Sequence, residues 1–113
     1  MRSKLYLVQF LIIASTTLSV RVASADAVGD AFGVCAVFNG TGLTTQCEVK
    51  SATLSTPPSV DVTIDTNGSD ARKMCAGVAD MMAKQTRSFA GKWRLRIFSP
   101  YSGQRPIAVC TLR

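Results

Sequence analysis

Val60–Gln85 reads VDVTIDTNGSDARKMCAGVADMMAKQ, and the fold class turns on a change of period inside it. Val60, Val62 and Ile64 alternate with Asp61, Thr63 and Asp65, which is the two-residue period of a half-buried strand. Asn67-Gly68-Ser69-Asp70 breaks that alternation, and Ser69 or Asp70 offers the side-chain oxygen of an N-cap. From Ala71 to Gln85 the apolar residues Ala71, Met74, Cys75, Val78, Met81 and Met82 recur at three- and four-residue steps. That spacing places them on one stripe of a helix, with Arg72, Lys73, Asp80 and Lys84 elsewhere.

Strands are expected on both sides of this unit. Downstream, Trp93, Leu95 and Ile97 alternate with Arg94 and Arg96 over 93–98, and 107–112 is a last β-rich run. The intervening Ser99–Pro106 stretch, with two prolines and a glycine, reads as a hairpin loop. Upstream, 43–50 alternates with Thr44, Gln46, Glu48 and Lys50 outward, and Pro57-Pro58 marks a loop. The apolar run Ala31–Phe38 reads as a first strand, joined to 43–50 by the turn signal Asn39-Gly40. The expectation is an α+β fold: a small antiparallel sheet in β-β-β-α-β-β order, with one helix packed on one face. Val60, Val62, Ile64, Trp93, Leu95 and Ile97 would meet the helix, and Asp61 and Asp65 could stand against Arg94 and Arg96 on the other face.

The N-terminus reads as an export signal. Arg2 and Lys4 precede the apolar run Leu5–Ala14, and Ala23-Ser24-Ala25 is a small-x-small cleavage site. Residues 1–25 are therefore expected to leave by cleavage after Ala25, giving a single mature domain over 26–113. Gln9 and the Ser15–Ser19 polar residues make the run too short and too polar for a spanning helix, so no transmembrane segment is expected afterwards. Removing 25 of 113 residues leaves 88, near the lower end of what folds alone, where cross-links help. Cys35, Cys47, Cys75 and Cys110 then read as two disulfides in a periplasmic or secreted protein. Of the three possible connectivities, the near-symmetric flanking of Asn39-Gly40 favours Cys35–Cys47, which leaves Cys75–Cys110 to staple helix to sheet.

Without Arg2, Lys4 and Arg21, ten basic residues face seven acids, a net charge of +3. All seven acids lie within 26–80, whereas 81–113 holds seven basic residues and no acid. The chain has no histidine, which excludes Ser-His-Asp and Cys-His catalysis and histidine metal sites. No nucleotide, cofactor or zinc motif is present, so no catalytic residue, cofactor or metal ligand is assigned. Export and the small net charge argue against nucleic acid. The Asn39-Gly40-Thr41 and Asn67-Gly68-Ser69 sequons serve first as turns.

The functional expectation is a small exported binding or interaction protein rather than an enzyme. Its partner would be a protein or an anionic envelope or extracellular surface, met through Lys92, Arg94, Arg96, Arg105 and Tyr101. One alternative is a secreted enzyme inhibitor offering the 99–106 loop. The other is a hydrolase that works through Asp61 and Asp65 without histidine.

Overall fold

The computed structural model describes residues 27–113, so the expected signal segment and cleavage site lie outside the described residues. Residues 27–39 are helical (α1). Four strands follow, β1 Thr44–Lys50, β2 Ser59–Ile64, β3 Trp93–Phe98 and β4 Ala108–Leu112, with a second helix, α2 Gly68–Gln85, between β2 and β3. Over the described residues the fold is α+β, with two helices, a four-stranded mixed sheet and two disulfides.

The expected first strand is a helix, which corrects the element order to α-β-β-α-β-β. Ala31, Val34, Cys35 and Phe38 are buried at helical spacing, while Phe32 and Val37 between them are exposed. Because 31–38 is apolar on every side, its hydropathy carries no period, and such a run is compatible with either a strand or a buried helix. Asn39-Gly40 does make a turn, but one that closes a helix. The Gly40 N–H donates to Ala36 O at 3.0 Å, and Gly42 adopts φ +76°.

The sheet order is β1-β2-β3-β4. The outer pairs are antiparallel, but β2 and β3 are parallel, so the expected all-antiparallel sheet is corrected to a mixed one. A helix between neighbouring strands allows this: it carries the chain back to the starting end of the sheet, which a tight turn cannot do. The single expected helix is also corrected. Residues from both helices join one core with Val60, Val62, Ile64, Trp93, Leu95 and Ile97, so both cover the same face. Each fully buried large apolar side chain contributes roughly 1.5–3 kcal/mol to that packing.

Each disulfide ties one helix to one edge strand. Cys35–Cys47 joins α1 to β1, and Cys75–Cys110 joins α2 to β4. The pairing is the one expected, but the first bridge runs from helix to strand rather than across a hairpin. The N-cap of α2 is Asn67, not Ser69 or Asp70: its Oδ1 accepts from the Asp70 N–H at 2.8 Å. Beyond α2, the hydroxyls of Thr86 and Ser88 both donate to Asp30 Oδ2 at 2.6 Å, latching α1 to the connection that leads into β3. Phe89 in that connection is buried against Trp93, their ring centroids 5.7 Å apart.

Candidate functional site

With both helices on one side, the other side of the sheet is bare, and register decides which residues meet there. Lys50 lies opposite Ser59, and Ser59 beside Arg94. In the next row Glu48, Asp61 and Arg96 are neighbours, and in the third Gln46, Thr63 and Phe98. A bulge at Thr45 ends this alternation, and Thr44 turns its hydroxyl to Phe38 O at 2.9 Å instead of facing outward.

Asp61 sits at the centre of this face, yet its side chain is only 7% exposed. Its Oδ1 accepts from Ser59 Oγ at 2.9 Å and from Arg96 Nε at 2.8 Å. Its Oδ2 accepts from Arg96 Nη2 at 2.6 Å and meets Lys50 Nζ at 3.4 Å. Four donors thus occupy the four lone-pair sites of one carboxylate. Burial pushes the Asp61 carboxyl up, but the hydrogen bonds of Arg96, Ser59 and Lys50 and the Arg96 charge outweigh it and hold the group below its ordinary value. The hydrogen bond to Asp61 in turn raises the already high pKa of Arg96, so the pair is ionised at any physiological pH. The Arg96 guanidinium also lies 5.2 Å from the centre of the Phe98 ring.

Two hollows open on this face and share Lys50 and Arg96. The larger, about 770 Å³, lies towards the 99–104 loop and carries Gln46, Glu48, Thr63, Phe98 and Gln104. The smaller, about 320 Å³, lies between β3 and the 51–58 loop and carries Ser51, Thr53, Thr56, Ser59 and Arg94. No family model, characterised protein or solved structure matches this chain. Among the described residues no group of three or more Cys, Asp or Glu side chains converges as a metal site, and no helix is long and apolar enough to cross a membrane.

Of the five residues expected to bind, the structure brings together Arg94 and Arg96. Lys92 is exposed in the turn before β3, and Tyr101 and Arg105 are exposed in the 99–106 loop; none of the three lines either hollow. Of the aromatic residues near these positions, Phe89 and Trp93 are core, Phe98 is half-buried and Tyr101 is exposed. Asp61 meets Arg96 as foreseen, but Asp65 falls beyond the end of β2 and takes no part in the network. Sequence reasoning missed Lys50 and the hydroxyl-bearing loop after it. A basic residue followed by Ser51, Thr53, Ser55 and Thr56 was the available signal, and only strand pairing carries it to Arg94.

Proposed function

We propose that this chain is a small exported binding protein that engages its ligand on the open face of the sheet. The observation that carries the reading is the pair of adjoining hollows hinged on Lys50 and Arg96, a concave polar surface on an otherwise two-layered domain. The two disulfides accord with an oxidising compartment, periplasmic or extracellular. They also fix both edge strands to the helices, which lowers the ordering cost of binding. A carboxylate-dependent hydrolase is the weaker reading. Asp61 has every lone pair occupied and a lowered pKa, the reverse of what a general acid needs, and Asp65 stands apart from it.

The inhibitor reading keeps one observation of its own. Within the 99–106 loop, Ser102 Oγ donates to Ser99 O at 3.0 Å and accepts from the Ser99 N–H at 3.1 Å. The Tyr101 N–H donates to Ser99 Oγ at 3.0 Å, so the loop is braced while the Tyr101 side chain stands 84% exposed. Backbone NMR shift mapping with fractionated envelope and extracellular glycans, lipids and proteins separates the readings. The open-face reading expects perturbation along Gln46–Lys50, Ser59–Thr63 and Arg94–Phe98. Perturbation centred on Tyr101, with inhibition of a hydrolase lost in Tyr101→Ala, establishes the inhibitor instead. Turnover abolished by Asp61→Asn overturns the binding reading.

A further inference from the structure

We propose that the smaller hollow, between β3 and the 51–58 loop, is a receptor for a dianionic tetrahedral group, the phosphate of a phosphomonoester or of inorganic phosphate. This deepens the open-face reading and rests on it.

Asp61 is bonded to three residues that line this hollow: it accepts hydrogen bonds from Ser59 and Arg96 and forms an ion pair with Lys50. Its charge is offset by Arg96 and Lys50, and its oxygens are engaged within the protein rather than offered to a donor ligand. The side chains around it have donors to spare. Arg96 uses Nε and one Nη2 hydrogen on Asp61 and keeps its remaining guanidinium hydrogens. Lys50 makes one carboxylate contact with an ammonium that has three hydrogens. Among the described residues, Arg94 makes no ion pair or side-chain hydrogen bond, which leaves all five of its guanidinium hydrogens available.

Thr56 adds a directed neutral donor. Thr53 Oγ1 accepts from the Ser55 N–H at 3.3 Å and the Thr56 N–H at 3.1 Å, which fills both of its lone pairs. Thr53 Oγ1 and Thr56 Oγ1 lie 2.5 Å apart, and the two backbone N–H groups already on Thr53 favour Thr53 as the donor between them. With Thr53 donating, the Thr56 proton has no partner among the described residues, on a side chain that lines the hollow. Thr53 and Thr56 also hold the loop in place, since the Thr53 N–H donates to Thr56 O at 2.9 Å. The charged side chains that line the hollow are all donors, and its only side-chain acceptors are hydroxyls that can also donate, which suits a ligand rich in acceptors.

Lys50, Arg94 and Arg96 line the hollow with three positive charges and no acid, and Asp61, paired with Lys50 and Arg96, offsets one of them, while Glu48 lines only the adjoining hollow. A phosphomonoester at neutral pH carries about −1.5 to −2. It matches the positive charge that remains, whereas a carboxylate or a sulfate ester leaves a cation uncompensated. Two arginines suit the geometry, because the guanidinium fork pairs with two phosphate oxygens at once. A volume of about 320 Å³ leaves room for the group and the first atoms of its carrier.

The test titrates the purified, oxidised protein with inorganic phosphate, glycerol 3-phosphate and acetate, following backbone NMR shifts at low and high salt. A separate arm measures co-sedimentation with phosphatidylcholine vesicles carrying phosphatidic acid, to tell a lipid source from a soluble one. Saturable shifts at Lys50–Thr56 and Arg94–Arg96 are expected with both phosphates, with acetate at least ~10-fold weaker. Arg94→Gln, which disturbs no ion pair of the fold, should weaken phosphate ~10-fold or more, and Thr56→Val by a few-fold, about 3–10. Tyr101→Ala should leave it unchanged. Equal binding of acetate, unsaturable shifts spread over Lys84, Arg105 and Arg113, or wild-type affinity in Arg94→Gln each overturn the proposal. Failure with phosphate while another ligand still perturbs the open face removes this inference and leaves the broader reading standing.

Discussion

Removing Arg96 should harm this protein more than removing the acid it pairs with. The reason is the uneven burial of the network: the Asp61 side chain is 7% exposed, while those of Arg96 and Lys50 are 35% and 51% exposed. In Arg96→Met, which keeps an apolar stem beside Phe98, a buried carboxylate remains with only Ser59 and Lys50. Breaking a buried pair in this way costs about 3–5 kcal/mol when nothing else compensates, and the two surviving donors reduce that to about 2–4 kcal/mol. In Asp61→Ala the groups left over are two cations that reach water and one neutral hydroxyl, that of Ser59, so the loss is about 1–2 kcal/mol. The double variant Asp61→Leu/Arg96→Met should be more stable than Arg96→Met alone, because no buried charge is orphaned. Urea unfolding followed by Trp93 fluorescence gives all three values. The pH dependence has a definite sign. The Asp61 carboxyl is held below its ordinary value, so its contribution is complete above the ordinary carboxylate pKa of about 4 and is lost as pH falls through the lower folded value. In Arg96→Met burial meets less opposition, the carboxyl protonates at a higher pH than in wild type, and the gap between the proteins closes on acidification. Equal losses in the two single variants, or a gap that stays constant from about pH 7 to about pH 3, refute the reasoning.

Three further outcomes follow from other parts of the fold. Loop closure makes the Cys75–Cys110 bridge, at a separation of 35, worth about 1 kcal/mol more than Cys35–Cys47, at a separation of 12, so the Cys75→Ala/Cys110→Ala variant should melt roughly 4–8 °C below Cys35→Ala/Cys47→Ala in a calorimeter. Phe89→Ala should cost about 3–5 kcal/mol in urea unfolding, since Phe89 is 1% exposed, whereas Tyr101→Ala should stay within about 0.5 kcal/mol of wild type. Asn67→Ala removes the acceptor for the Asp70 N–H and should cost about 1 kcal/mol, with faster hydrogen exchange confined to the first turn of α2.

The sequence by itself determined the elements whose periodicity is visible in hydropathy. Strand β2, helix α2 and strand β3 stand where alternation and the three-four stripe put them, because in each the core-facing positions are apolar and polar residues fall between them, so residue order carries the geometry. The inward set of β2 and β3 was legible for the same reason, and so was the Asp61–Arg96 contact, once the two strands were taken as neighbours. Helix α1 was not legible. Its outer side carries Val28, Phe32 and Val37, so burial and exposure there do not follow hydropathy, and a uniformly apolar run has no period to read. Strand direction was not legible either, since an alternating strand reads alike whether its neighbour runs parallel or antiparallel. The smaller hollow belongs wholly to the tertiary structure. Lys50, Thr56 and Arg94 come from an edge strand, a loop and a central strand, and no local rule relates them. They meet because the β1–β2 register sets Lys50 opposite Ser59, and the parallel β2–β3 pairing sets Ser59 beside Arg94.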